Sequence, residues 1–257
     1  MIGHFYTARI VENTTDAVNT IAKDIMKEID QFDISENGEV VFGNHLQDFQ
    51  DIQKYMNPVP DVQIEDNLLD QETYLGCYIP MKSPGLVKLD QYNLRRYFWG
   101  LINSLTNRPL GAFITRPDLE RLSMMIIQKT FFHEIFHFGC DVMRHLFKGS
   151  YASLQEEALA VAYARMKIAS LRENANSAIG RINAVLYHAI FQMAFRYNSP
   201  GYCDWHLYAD ETRFKAGLLD YIKPGDYQVL SANGVAAEDL LYNILENVKG
   251  FQQQIIR

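Results

Sequence analysis

Apolar residues recur at helical spacing from Thr14 to Ile29, where Val18, Ile21, Ala22, Ile25, Met26 and Ile29 form one stripe. That spacing predicts a first helix. From Gly38 to Leu89 the texture changes to short apolar runs between turn formers: Val40–Phe42, Val62–Ile64, Tyr74–Ile79 and Leu86–Leu89, all read as strands. The last two flank a segment ending in Pro84-Gly85, which supplies turn chemistry and predicts a hairpin with a long loop. Helical periodicity returns after Asp90, at Leu94, Phe98, Leu101, Ile102 and Leu105, and Pro117 stands where proline suits a first helical turn. Further helices are predicted near 117–147, 153–173, 176–197, 211–222 and 236–252, broken at Asn198–Gly201 and Lys223–Asp226. The pattern describes an α+β chain, a small and mainly antiparallel sheet followed by a helical C-terminal lobe. Without repeats or a linker, residues 1–257 read as a single domain, with a sheet-bearing lobe over 1–115 and a helical lobe over 116–257.

Hydrophobic residues make up 48% of the chain, enough for a packed core, so general disorder is excluded. The richest apolar stretch, Ser123–Cys140, is interrupted by Gln128, Lys129, His133, Glu134 and His137, and no membrane span is expected. A net charge of −7, with no basic cluster beyond Arg95-Arg96, argues against a nucleic-acid partner. Cys77, Cys140 and Cys203 match no metal or redox spacing and cannot all pair within one chain. With no basic segment leading into an apolar one at the N-terminus, the expected compartment is a reducing cytoplasm. Nothing in the pattern specifies an oligomeric state, and the stripe Leu240, Leu241, Ile244, Leu245, Val248 and Phe251 reads as core packing.

Within the helix beginning near Pro117 stands Thr130-Phe-Phe-His133-Glu134-Ile-Phe-His137-Phe138, an HExxH sequence in apolar surroundings. Positions i and i+4 share a helical face about 6 Å apart along the axis, so His133 and His137 can converge on one ion. Glu134, beside that face, would reach a water instead. A catalytic zinc takes three protein ligands, so one more is required. A third histidine six residues after His137 is excluded, because Met143 occupies that position and Cys140 stands where that pattern needs glycine. The alternative is a glutamate on the following helix, where Gln155-Glu156-Glu157-Ala158 offers two. Glu157 shares its face with Leu154, Val161, Ala164 and Ile168, the stripe expected to pack on the preceding helix. Glu156 shares its face with Ser153, Ala160, Tyr163 and Lys167, and Ser153-Leu-Gln-Glu156 fits a capping box. Glu157 is therefore the predicted ligand. His145 falls about 12 Å along the axis from His137, too far to share the ion, and Cys140 reads as a buried apolar residue.

His133-Glu134-Ile-Phe-His137, followed 20 residues on by Glu157, resembles the gluzincin branch of HExxH zinc metallopeptidases, the thermolysin-like zincin superfamily. Glu157-Ala-Leu-Ala-Val-Ala is similar to the Glu-Ala-rich helix of its small cytoplasmic members. The resemblance covers roughly residues 74–168. It implies a zincin-like α+β fold, one Zn2+ held by His133, His137 and Glu157, and hydrolysis of a peptide or protein substrate. Zinc would acidify water at the site and polarise the scissile carbonyl. Glu134 would serve as the general base that later protonates the leaving amine. The resemblance further implies an oxyanion donor, for which His188, Tyr202, His206 and Tyr208 are candidates. It also implies a cleft-edge strand pairing with an extended peptide, for which Leu86–Leu89 is the candidate. The Asp that often follows the glutamate ligand by four residues is Val161 here, so no carboxylate at that position orients a histidine. Two other readings share the motif: an inactive gluzincin-like scaffold that regulates or docks a partner, and a secreted toxin or effector protease.

Overall fold

The computed structural model describes residues 5–9, 21–25, 39–40, 75–79, 86–106, 114–147, 152–222 and 237–246. Among them helix predominates. Strands β1 (Phe5–Arg9), β3 (Gly76–Ile79) and β4 (Leu86–Asp90) pair antiparallel, with β4 in the centre. Phe5 lies opposite Asp90 on one side, and Gly76 lies opposite Leu89 on the other. The predicted hairpin thus forms over slightly different bounds. The β1 strand is an addition whose five residues lie outside the predicted strands. The strand expected at Val40–Phe42 is β2 (Glu39–Val40), which pairs with β5 (Ile114–Thr115) instead of joining the other three. Val62–Ile64 lies outside the described residues. So does most of the predicted first helix, of which 21–25 is helical with Ile21, Ala22 and Ile25 buried.

The helices are α1 (Gln91–Thr106), α2 (Arg116–Phe147), α3 (Ser153–Glu173), α4 (Ala184–Ala194), α5 (Glu211–Ile222) and α6 (Ala237–Glu246). Thr115 and Asp118 cap the start of α2 reciprocally: the Asp118 N–H donates to Thr115 Oγ1, and the Thr115 hydroxyl donates to Asp118 Oδ2 at 2.8 Å. Helix α2 is the spine, packed by β3, α3 and α6. Phe136, Tyr163 and Phe214 are fully buried with ring centroids 5.8–6.2 Å apart, which pins α5 to the α2–α3 pair. Each such ring contributes about 1.5–3 kcal/mol by burial. At Gly139 an added Cβ would come 2.7 Å from Leu245 Cδ2, so α6 can approach α2 closely only where that side chain is absent.

The helix predicted over 176–197 is shorter. A 3-10 turn at Ile179–Arg181 precedes α4, which starts where the Asn183 side chain accepts from the N–H of Val185. The turn is stabilised by Arg172, which donates to the carbonyls of Ile179, Gly180 and Ile182. The helix predicted over 236–252 is described over Ala237–Glu246. A second 3-10 segment, Tyr202–Tyr208, connects α4 to α5 and packs on α3. Among the described residues no helix is long and apolar enough to cross a membrane.

Candidate metal centre

His133 and His137 sit one turn apart on α2 with ring centroids 4.8 Å apart, and the first turns of α3 bring Glu157 across from them. The His133 and His137 Nε2 atoms are 3.2 Å apart, and Glu157 Oε2 lies 3.2 Å from the first and 3.3 Å from the second. These three ligand atoms could hold a metal ion. A tetrahedral site with bonds of about 2.0–2.1 Å has edges of about 3.3–3.4 Å, close to this triangle on all three sides. Glu157 Oε2 is buried and has no hydrogen-bond partner among the described residues, an orphaned acceptor that a cation would satisfy. Burial opposes ionisation of Glu157, but the two imidazoles outweigh it and hold the carboxyl below its usual range.

Glu156 is not a helix cap. Helix α3 is capped by Ala152 without a side-chain bond, so Ser153 is its first residue and the predicted capping box does not form. Glu156 is 6% exposed and lies 2.8 Å from His137 Nδ1. Its second oxygen accepts from Arg144 and from the hydroxyl of Tyr221. Donation of the Nδ1 proton to Glu156 leaves the Nε2 lone pair facing the triangle. Burial works against the His137 imidazolium, yet the carboxylates of Glu156, Glu157 and Glu134 lift its pKa to about 10. Proton and metal therefore compete for the same nitrogen. Glu156 itself is held below the usual carboxylate range: burial opposes this, and the His137 and Tyr221 hydrogen bonds, reinforced by Arg144, prevail.

The face of α3 that carries Glu157 is not a single buried stripe. Leu154, expected inside, is 57% exposed, whereas Ala160 and Tyr163, expected outside, are buried. Every side chain from Ala158 to Ala164 is buried, because small alanines let neighbours close around α3 from all sides. Adjacent glutamates can then both reach α2, one at each imidazole edge.

Glu134 is 6% exposed and accepts a backbone hydrogen bond from Tyr78. Burial raises its carboxyl above the usual range, partly offset by His133 and His137. Tyr78 also donates its hydroxyl to Asp141 Oδ2 at 2.7 Å, which fastens β3 to α2. The strand beside Glu134 is therefore β3. The expected cleft edge, Leu86–Leu89, lies in β4, whose two sides are both hydrogen-bonded to neighbouring strands and cannot accept a peptide.

Of the four oxyanion candidates, Tyr202 is brought to the cluster, its ring stacked on His133 at 5.5 Å with an interplanar angle of 19°. Gly201 makes this possible. Its φ of 81° and a Cβ position 2.9 Å from Leu154 O leave room only for glycine where the chain crosses α3. His188 is exposed on α4 beside Tyr187, the exposed His206 has Nδ1 2.8 Å from Cys203 O, and Tyr208 packs on Gly217. Tyr197 is a further residue beside the cluster, outside the motif. Its ring lies 5.4 Å from Tyr202, and burial raises its hydroxyl pKa, reinforced by Tyr97, Tyr202, Glu157 and Glu134. Its one sequence signal was its place before the Asn198–Gly201 break. Cys140 is buried outside the ligand triangle, and the side chains of Cys77 and His145 lie outside the described ones. Comparison with family models, curated proteins and solved structures finds no match to this chain.

Proposed function

We propose that this chain is a zinc-dependent metallopeptidase with a zincin-like α+β fold, its metal held by His133, His137 and Glu157. The observation that carries the reading is the near-equilateral triangle of two imidazole nitrogens and one orphaned carboxylate oxygen. The buried Glu134 follows the first ligand directly in the chain. Zinc supplies Lewis acidity toward a carbonyl and toward water when bound. Glu134 takes the proton of the attacking water and returns it to the departing amine, a task suited to a carboxyl whose burial raises its proton affinity. Tyr202, fixed against His133, donates to the oxygen that gains charge. Glu156 keeps His137 in the tautomer that presents Nε2. An extended substrate adds to the sheet along β3, the strand next to Glu134.

Elemental analysis of protein purified without chelators tests the site. About one zinc per chain is expected, lost in His137→Ala and Glu157→Ala. Glu134→Gln should retain zinc while hydrolysis of an unfolded protein substrate falls about 10²–10⁴-fold. Wild type that zinc cannot load would sink the reading. Loaded protein without hydrolysis would favour the inactive, partner-binding scaffold.

A further inference from the structure

Beyond Tyr202 the molecule has a second feature that the proposed chemistry does not use. A cleft of about 390 Å³ opens where the end of α4 meets the Tyr202–Tyr208 segment, with Phe195, Arg196, Tyr197, Trp205 and His206 in its walls. That volume falls in the range of ligand pockets. Among the described residues none of those lining it is acidic; the nearest acid in sequence is Asp204, beside the lining Cys203.

Three cations border this cleft, and none is ion-paired with a described residue. Arg196 lines it, is exposed, and forms no ion pair with a described residue. Behind the wall, Lys129 is 4% exposed and its ammonium lies over three rings, Tyr97 and Tyr197 at 5.0 Å and Phe195 at 5.5 Å. Arg165 lies between Phe191 at 4.2 Å and Trp205 at 4.4 Å, with Nη1 buried and lacking a hydrogen-bond acceptor among the described residues. Cation–π contact compensates part of the desolvation of these groups, and whatever charge they carry, Arg165 throughout and Lys129 below about pH 7, is not cancelled by it. Low-dielectric aromatic walls let that charge act across the cleft.

We propose that the cleft is a recognition subsite for an apolar or aromatic group bearing a carboxylate, with Arg196 as the contacting cation. The guanidinium fork matches a carboxylate in a bidentate fashion, and the aromatic walls take the apolar part. Resting on the peptidase reading, the subsite specifies the substrate: a peptide whose C-terminal carboxylate is free. Tyr202 lies 5.5 Å from the His133 ring and Tyr197 5.4 Å from Tyr202, so the cleft begins two ring spacings from the metal ligands. At about 3.3 Å per extended residue, those two spacings are spanned by no more than about three residues of an extended peptide.

The test is a titration with N-acetyl-L-phenylalanine and, separately, its amide, followed by NMR at the indole N–H of Trp205. The chain has two tryptophans, and Trp205→Phe assigns the resonance. Burial pushes the Lys129 ammonium down to about 7, so the titration is run near pH 6. The acid should bind at least about tenfold more tightly than the amide. Arg196→Gln, a surface change, should abolish the difference, and Lys129→Met should reduce it. Equal affinity for acid and amide, an unchanged preference in Arg196→Gln, or no saturation below about 10 mM overturns the proposal. Since this readout needs neither zinc nor turnover, failure of the peptidase reading leaves it intact. In active enzyme, the free-acid peptide should show a lower KM than its C-terminal amide with kcat little changed. A KM indifferent to amidation overturns the substrate assignment.

Discussion

Replacing Glu156 by Gln separates its service to His137 from its service to the fold. The carboxylate accepts from three donors: His137 Nδ1, Arg144 Nη1 and the Tyr221 hydroxyl. A glutamine side chain has one acceptor oxygen and an amide nitrogen that cannot accept. If the oxygen serves Arg144 and Tyr221, the amide faces His137 Nδ1, forcing that nitrogen to accept and placing the proton on Nε2. The lone pair needed for the metal is then blocked. Loss of such an orienting partner typically weakens metal binding about 10–100-fold. For stability, a charge-assisted bond becomes neutral at a cost of about 1 kcal/mol, and the rotamer that keeps the oxygen on His137 instead leaves a donor of Arg144 or Tyr221 facing the amide nitrogen, at a further cost of about 1–3 kcal/mol. The Arg144 side chain is 31% exposed, so water softens its part, and a total of about 2–4 kcal/mol follows. Chelator competition measures the zinc affinity and urea unfolding measures the stability. Tyr221→Phe serves as control: it removes one donor but spares the His137 contact, so stability should fall by about 1–2 kcal/mol with zinc affinity unchanged. A folded Glu156→Gln protein binding zinc within about threefold of wild type would refute the tautomer argument.

Three further outcomes are expected. Gly201→Ala places a Cβ 2.9 Å from Leu154 O at a φ of 81°, so thermal unfolding should shift down; about 1–2 kcal/mol corresponds to about 2–8 °C, and an unshifted melt would contradict the close approach. Lys129 has its folded pKa lowered from 10.5 to about 7 by burial, so the unfolded chain holds more protons between these values and wild-type stability from this group rises with pH across that window. Lys129→Met should therefore be most stabilising relative to wild type near pH 6 and lose that gain by about pH 10, whereas a pH-independent difference in urea midpoint would refute the assignment. Phe214→Ala opens a cavity among Phe136 and Tyr163 and should cost about 3–5 kcal/mol by chemical denaturation; a loss below about 1 kcal/mol would mean that α5 is not pinned there.

What could be read from the chain was what depends on neighbours a few residues apart. The i, i+4 relation alone put His133 and His137 on one face. Helix α3 occupies the predicted 153–173 and α5 the predicted 211–222, because helical periodicity, turn residues and breaks are all local signals. The apposition of Glu157 to both histidines follows from an adjacent helix folding back, and Glu157 was reached by an inside–outside argument that fails for Leu154, Ala160 and Tyr163. Periodicity presumes one buried face, and α3 is enclosed on all sides from Ala158 to Ala164.

Tertiary structure alone decided the rest. Glu156 meets His137 from 19 residues away and Tyr221 from 65, so the role of that carboxylate depends on where α5 docks. Tyr202 reaches His133 only because a left-handed Gly201 lets its segment cross α3, and β4 is closed to a peptide because β1 occupies the side that β3 leaves free. Each of these turns on which surfaces remain open once the elements pack. That is a property of the whole core, and a side chain's spacing from its own neighbours carries no record of it.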